Sequence, residues 1–445
     1  MVSGSMAVIL LVIMVALIII ATGKFKINAF LVLLVVAFLY GALIGLPMNE
    51  ILDKIKGGFG GTLSSIGIVI IAGTMMGVIL EKTGAALVMT RSILSVVGKD
   101  RSALAMNAAG FVVSIPVFCD SGYVILTPLN KALAKESGKS MAVMAVALAT
   151  GLYATHTMVP PTPGPIAAAG TMSADLGAVI FYGLIASIPA SLIGYIWAVK
   201  VASKYDIPVK TGESYSSLME KYGKLPSVFG SFLPLILPIV LILLKSVADL
   251  PSKPFGQGTL SSFISNIGDP VAALIIGVLA ALCLVPWGSF STAVDGWLGQ
   301  GIRDAAIVLA ITGAGGSFGR ILQASPMVDY IKENLSGTGL GIFLPFIISA
   351  AIKTAQGSST VAIITTANIM APMIAGLGLN PALTVVAIGA GSMVMSHAND
   401  SYFWVVSQFS DMPVNIAYKV YTTATAVEGV AAVIVVYILS IFVGA

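Results

Sequence analysis

Two histidines, a carboxylate set among small residues, and a run of hydroxyls are the side chains in this 445-residue sequence whose type and placement suit chemistry on a small solute. Asp120 stands between Cys119 and Ser121 in FCDSGY, with Gly122 next, inside an otherwise apolar stretch. A carboxylate there costs roughly 3 kcal/mol or more if it meets lipid, so it marks a functional site unless it merely pairs with a basic neighbour. A carboxyl in a place alternately wet and dry can carry a proton. His156 and His397 are the only histidines. Thr155 and Thr157 flank the first, with Thr162 beyond; Ser396 precedes the second, and Asn399, Asp400 and Ser401 follow it. Such a histidine is either a satisfied packing residue or a group that donates to a carboxylate and exchanges a proton near neutral pH. Gln356, Gly357, Ser358, Ser359 and Thr360 place an amide, hydroxyls and backbone N–H groups at the start of an apolar run. Exposed donors and the helix dipole favour an anion there; the plainer reading is a turn that caps its own helix. Lys353 in the same arm either supplies a positive field or snorkels to the interface.

Other strings carry no comparable signal. SGKS at 137–140 lacks the first glycine of a P-loop, since Leu133 stands there, and GAGGSFG at 313–319 has no strand context. Neither signals a nucleotide. Cys119 and Cys283 lie far apart in apolar surroundings, which suggests neither a disulfide framework nor a metal cluster. No cofactor or metal is expected, no serine or cysteine sits in a recognised catalytic setting, and the chain does not read as an enzyme. Without an ATP site or a redox centre, energy for uphill work must come from an ion gradient.

The elements that position these residues follow from composition. Apolar residues make up 57% of the chain and charged ones 9%, with a mean hydropathy of +1.01, whereas soluble domains carry roughly 25% charged residues. The solvent for most of the chain is lipid, which leaves no room for a sizeable soluble domain and gives no reason to expect nucleic acid as a partner. Net charge of +4 is read through the placement of Lys and Arg, because placement sets topology. Met1–Ser5 carry no signal; residues 6–22, with no basic residue before them and no clear cleavage site after, read as a first span and not a secretory signal.

Apolar runs predict spans near 6–22, 28–46, 62–80, 140–170 and 177–199, then 230–248, 270–288, 303–322, 382–410 and 418–443. Two stretches, 101–136 and 338–377, are apolar on both arms and interrupted midway by CDSG at 119–122 and QGSST at 356–360. Each is either two full spans or a re-entrant hairpin; arms of about 15 residues and a polar tip favour the hairpin, since irregular backbone survives at membrane depth only where protein or water covers it. The basic clusters at 91–101, 131–139 and 200–224 then share one side with Lys24, Lys26 and Lys419. The positive-inside rule makes that side cytoplasmic and puts both termini outside. VPPTPGP at 159–165 holds four prolines, through which no continuous helix passes.

Fragments match at an offset of about 240 residues: GVILEKTG at 77–84 with GRILQASP at 319–326, one hairpin with the other, and one break beside a histidine with the other. Inverted repeats with broken helices are the mark of secondary transporters, whose substrate site lies near the midplane. The expected organisation is an all-α polytopic membrane protein in two inverted repeats. The first is 1–199, with scaffold spans 6–80, hairpin 101–136 and broken helix 140–170. A cytoplasmic linker at 200–229 leads to the second, 230–445, with scaffold spans 230–322, hairpin 338–377 and broken helix 382–410.

Together FCDSGYVILTPL, THTMVPPTPGPIAAA, AQGSSTVAIITTA and GAGSMVMSHANDSYFWVVS resemble the gluconate permease family of the ion transporter superfamily, across both halves of the chain. The resemblance implies proton-coupled uptake of gluconate or a related acid across the bacterial cytoplasmic membrane; relatives carry idonate, fructuronate or D-serine. It also implies an elevator-like fold in which two hairpins and two broken helices move against a scaffold that forms a homodimer. Typical gluconate permeases read close to FFEVGF at the first tip and PPHPGP at the first break. Here Cys119 and Asp120 replace the Phe-Glu pair and Thr162 replaces the histidine, which leaves the transport class intact and opens the choice of substrate.

The partners expected are a small organic acid anion, protons and the bilayer. The substrate carboxylate is expected between the two tips and the two breaks, held by Ser121, Thr157, Ser358, Ser359, Thr360 and Asn399. Its hydroxyls are expected to face Asp120, Thr162 and Asp400, with Gly122, Thr155, His156, Gln356, Gly357, His397 and Ser401 completing the site. Asp120, His156 and Asp400 are the expected proton carriers. The rival readings are a sodium-coupled dicarboxylate carrier of the same superfamily and a D-serine-type symporter.

Overall fold

Backbone groups surrounded by hydrocarbon have no partner but one another, so long apolar runs of this kind can only fold as helices or closed barrels. A computed structural model of the chain, which describes residues 2–98, 101–209, 225–249, 253–327, 329–330 and 341–443, takes the helical solution: every regular element among the described residues is helical. The first half contains α1 Gly4–Gly23, α2 Ala29–Leu43, α3 Met48–Lys82, α4 Ala85–Val97, α5 Ser102–Val113, α6 Cys119–Ser137, α7 Met141–Met158, α8 Pro163–Thr171 and α9 Leu176–Lys200. The second contains α10 Val228–Ala248, α11 Thr259–Ile267, α12 Pro270–Leu282, α13 Leu298–Gln323, α14 Phe343–Gln356, α15 Ser359–Met370, α16 Pro381–Gly391, α17 Ser401–Phe409 and α18 Thr423–Val443. Of the expected linker, 210–224 lies outside the described residues, as do 338–340 of the second expected hairpin.

Seven helical segments are long and apolar enough to cross a membrane, or eight if α11 and α12, bent by 64°, count as one. The chain is a multi-pass membrane protein. Ten full spans were expected, and the shortfall has local causes. The 15 residues of α2 rise about 22 Å, less than the roughly 30 Å of hydrocarbon. The expected span 382–410 is two short helices, α16 and α17, separated by irregular backbone at 392–400.

Burial sorts the helices into outer and inner sets. Gly4–Thr22 and Val414–Val443 are only 28% buried over their most apolar stretch, whereas the corresponding stretch of Met141–Thr171 is completely buried. All of α7 is enclosed by protein, which is what a helix ending in a proline-rich break requires, because the freed carbonyls need partners that lipid cannot supply. Polar clamps register the inner helices. Asn107 on α5 donates Nδ2 to the Ala147 carbonyl of α7 at 2.9 Å, and Ser191 on α9 donates to Asn107 Oδ1 at 2.9 Å. The long helices α3 and α13 run antiparallel, pinned by Ser317 Oγ to the Ile55 carbonyl at 2.8 Å and Thr74 Oγ1 to the Gly301 carbonyl at 2.9 Å.

Four interruptions shape the interior. The turn between α5 and α6 is Ser114–Phe118, with Pro116 inside it, so CDSG at 119–122 is not the turn itself but the first turn of α6. The reason is that Pro116, not the small polar residues, lacks the N–H that would continue α5. The α7–α8 break falls at 159–162, where Pro160 and Pro161 stand. Between α14 and α15 the chain turns at Gly357, in the left-handed region with φ +99°. The α16–α17 break opens at Ser392, five residues before His397, and includes Met395 at φ +59°. The two histidines are therefore not equivalent: His156 lies in the last turn of α7, His397 inside irregular backbone.

Candidate functional site

Helices α6, α15 and α17 point their N-termini at one cavity. Its wall contains Phe118, Cys119 and Asp120 from the start of α6, Ser358–Val361 from the start of α15, and Asp400, Ser401 and Tyr402 from the start of α17. His156 contributes from the end of α7, and Asp304, Ile307, Val308 and Ile311 close the side formed by α13. The enclosed volume is about 240 Å³, below the roughly 300–1,000 Å³ typical of small-molecule sites, so only a small solute fits. Each helix start presents unpaired N–H groups and roughly half a positive charge. Three of them together make a strong setting for a carboxylate.

Behind this wall the fixed charges cancel. Lys353 Nζ and Asp400 Oδ2 are 2.5 Å apart, and the lysine is fully buried. Sequence reasoning left open a snorkelling role for Lys353; the ammonium instead stays inside because Asp400 and the Gly357 carbonyl receive its protons. Ser396 Oγ also donates to Asp400 Oδ2 at 2.5 Å, and the Tyr402 N–H donates to Oδ1 at 3.2 Å. Tyr421 meets Ser396 Oγ at 3.1 Å, and the ring of Tyr153 lies 5.9 Å from the ammonium. Asp400 is thus an N-cap held from both oxygens, which fixes the start of α17 and leaves its charge spent on Lys353.

Asp120 is different. Its Oδ1 accepts from Ser401 Oγ at 3.4 Å, and among the described residues no Lys, Arg or His lies within ion-pair distance. His156 is buried, its Nδ1 has no hydrogen-bond partner among the described residues, and its ring lies 5.8 Å from that of Phe118. Ser358 caps α15 by accepting from the Val361 N–H at 3.3 Å, so that reading of QGSST as a self-capping turn holds for this residue, while Ser359 and Thr360 also line the cavity.

Asp120, His156, Ser358, Ser359, Thr360, Asp400 and Ser401 thus meet around one space. The other expected residues do not line it. Thr155 donates to the Phe111 carbonyl at 2.8 Å, Thr157 to the Tyr153 carbonyl at 3.2 Å and Thr162 to the Val159 carbonyl at 2.7 Å; these hydroxyls serve backbone carbonyls and not the cavity. Gln356 folds onto the Ser358 carbonyl. His397 Nε2 and Asn399 Nδ2 bind the Thr354 carbonyl at 2.8 and 2.9 Å, tying the second break to the last turn of α14. Gly357 forms the turn; Gly122 packs against Leu152; Ser121 is not among the residues that line the cavity. Sequence reasoning missed Phe118, Tyr402 and the α13 residues. FCDSGY and NDSYFW carried the first two as neighbours of quoted polar groups, but nothing local marks which face of α13 meets the tips.

The profile of the GntP family permeases matches residues 6–442. The gluconate permease of Pseudomonas aeruginosa is 34% identical over 441 residues, covering 97% of this chain and 96% of that protein. The D-serine transporter of Escherichia coli is 32% identical over 442 residues, covering 97% of each. Among solved structures, MtrF of Neisseria gonorrhoeae, described with a class of antimetabolite efflux pumps, superposes with a TM-score of 0.70 at 16% identity, covering 94% of this chain and 96% of that one. At that identity the likeness is one of fold.

Proposed function

The chain belongs to the GntP family of permeases, and from that premise we propose that it takes up gluconate or a related small hydroxy-monocarboxylate with protons across the bacterial cytoplasmic membrane. The observation that carries this reading is the convergence of three helix N-termini on a small cavity, with the partly buried Asp120, which has no ion-pair partner among the described residues, at one of those starts. The substrate carboxylate takes the N–H groups and hydroxyls of Ser358–Thr360 and Ser401, and its hydroxyls reach His156 and Asp120.

Coupling follows from charge. Asp400 is cancelled by Lys353 and Asp304 is exposed, so an ionised Asp120 is the partly buried charge that opposes an incoming anion. Two like charges about 5 Å apart at an effective permittivity of about 20 repel by about 3 kcal/mol. A proton on Asp120 removes that repulsion and the cost of carrying a second charge through hydrocarbon. Proton and substrate then travel together.

The wall from α13 supplies Ile307, Val308 and Ile311, which offer no hydrogen bonds, and the exposed Asp304, which has no ion-pair partner among the described residues. The polar partners lie on α6, α7, α15 and α17, so a body carrying these elements can slide past α13 without breaking polar contacts. That supports an elevator movement against a scaffold containing α3 and α13. The shared order of interruptions, α5/α6 then α7/α8 and α14/α15 then α16/α17, supports two inverted repeats, and a homodimeric scaffold completes the arrangement. The test is counterflow of radiolabelled gluconate in proteoliposomes, with gluconate, glycerate, D-serine and succinate as competitors and sodium replaced by choline. Strongest competition by a hydroxy-monocarboxylate, unaffected by choline, is the expected result; competition by succinate alone overturns the reading.

A further inference from the structure

A second polar cavity lies farther along the same pair of helices. It encloses about 280 Å³ between α3, the end of α8, α13 and the end of α15. Helices α13 and α15 run side by side in the same direction: Val308 and Ile311 share the first cavity with Ser359, while Gly316 and Arg320 share the second with Asn368. From Ser359 to Asn368 the helix rises about 14 Å, roughly half the hydrocarbon thickness. The second cavity therefore sits between the first and one membrane face.

Its chemistry differs from that of the first. Asn368 is completely buried; its Nδ2 donates to the Ile364 carbonyl at 2.7 Å, but its Oδ1 has no partner among the described residues. Thr171 Oγ1 is likewise buried and unpartnered. Helices α8 and α15 both end here, so carbonyl oxygens and partial negative charge face this space. These groups call for hydrogen-bond donors. The positive charge in the lining belongs to Arg320, whose Nη2 stands 3.9 Å from where a Cβ on Gly61 would lie. A guanidinium beside an acceptor-rich floor matches a molecule with one carboxylate and several hydroxyls.

We propose that this cavity is a second binding station for the transported hydroxy-acid, with the carboxylate on Arg320 and a hydroxyl donated to Asn368 Oδ1. The assignment rests on the substrate reading above. Between the stations, Thr312 on α13 and Thr365 and Thr366 on α15 carry buried hydroxyls without partners among the described residues. An unsatisfied buried polar atom costs about 1–3 kcal/mol, and buried hydroxyls at this depth suit a route over which a polar solute passes from one station to the other.

The test is equilibrium binding of tritiated gluconate to the purified full-length protein in detergent. Two gluconates per chain are expected for the wild type, one for Arg320→Gln, and two with a weakened second phase for Arg320→Lys. Gly61→Val, which narrows the cavity from the opposite wall, gives an independent variant with the same expected loss. Retention of the first site shows that each variant is folded. Saturation of the wild type at one gluconate per chain, or two sites surviving in both Arg320→Gln and Gly61→Val, overturns the second station while leaving the substrate reading intact. No gluconate binding at all overturns the substrate reading and the station with it.

Discussion

Lys353 and Asp400 meet at 2.5 Å with neither side chain open to solvent, joining the last turn of α14 to the first residue of the α17 cap. Removing one member of a buried pair strands the other charge and costs about 3–5 kcal/mol, whereas replacing both with apolar residues is often neutral. Lys353→Met and Asp400→Asn are therefore each expected to lower thermal stability strongly and abolish transport. The double variant Lys353→Met, Asp400→Leu is expected to recover most of the stability and none of the transport. Lys131 and Asp411, at 2.9 Å but partly exposed, provide the contrast, with Lys131→Ala expected to cost under about 1 kcal/mol. A melting loss in the double equal to the sum of the two single losses would show that the two residues are not coupled.

Asp120 supplies the proton in the proposed cycle, and its variant separates coupling from binding. Asp120→Asn keeps the shape and the contact with Ser401 but carries no charge in either state. Counterflow, which needs no net proton movement, is expected to persist, while accumulation driven by an imposed pH gradient falls to simple equilibration. Accumulation at the wild-type level with unchanged pH dependence would assign the proton elsewhere.

Gly357 turns the chain between α14 and α15 at φ +99°, and a Cβ there would come within 2.6 Å of the Asn399 carbonyl carbon. Gly378 also has positive φ, +65°, but faces open space. Both alanine variants incur the left-handed penalty of about 1–2 kcal/mol. Only Gly357→Ala also displaces Asn399 from its bonds to Thr354 and Ala355, so it alone is expected to raise the half-saturation for substrate. Identical kinetics for the two variants would remove the second break from the site's geometry.

Much of this architecture was legible because its causes are local. Pro160 and Pro161 forbid the continuation of α7, Pro163 and Pro165 stand in the first turn of α8, where a helix tolerates them, and Gly357 within QGSST marks a turn by its own conformational range. Pro116 acted by the same rule, yet the eye goes to the more polar CDSG and places the turn four residues late. Pairings across long separations were not legible. Lys353 and Asp400 are 47 residues apart, and nothing in either neighbourhood says that one neutralises the other. Nor can spacing tell that the hydroxyls of Thr155 and Thr157 serve backbone carbonyls while His156 between them lines the cavity, because that depends on what packs against each face of α7.

His156 makes the sharpest separation between a packing residue and a binding one. Its Nδ1 is buried without a partner among the described residues, a cost to the empty fold of about 1–3 kcal/mol that a substrate hydroxyl removes on binding. His156→Leu eliminates the orphaned atom, so the melting temperature of the ligand-free protein is expected to hold or rise. The same change deprives the substrate of its acceptor and is expected to weaken binding by about 1–3 kcal/mol, or about 5- to 150-fold. Stability and affinity then move in opposite directions. A histidine that only filled space beside Phe118 would give the reverse, with lower stability and unchanged affinity. Thermal unfolding with and without gluconate, measured on the one variant, decides between them.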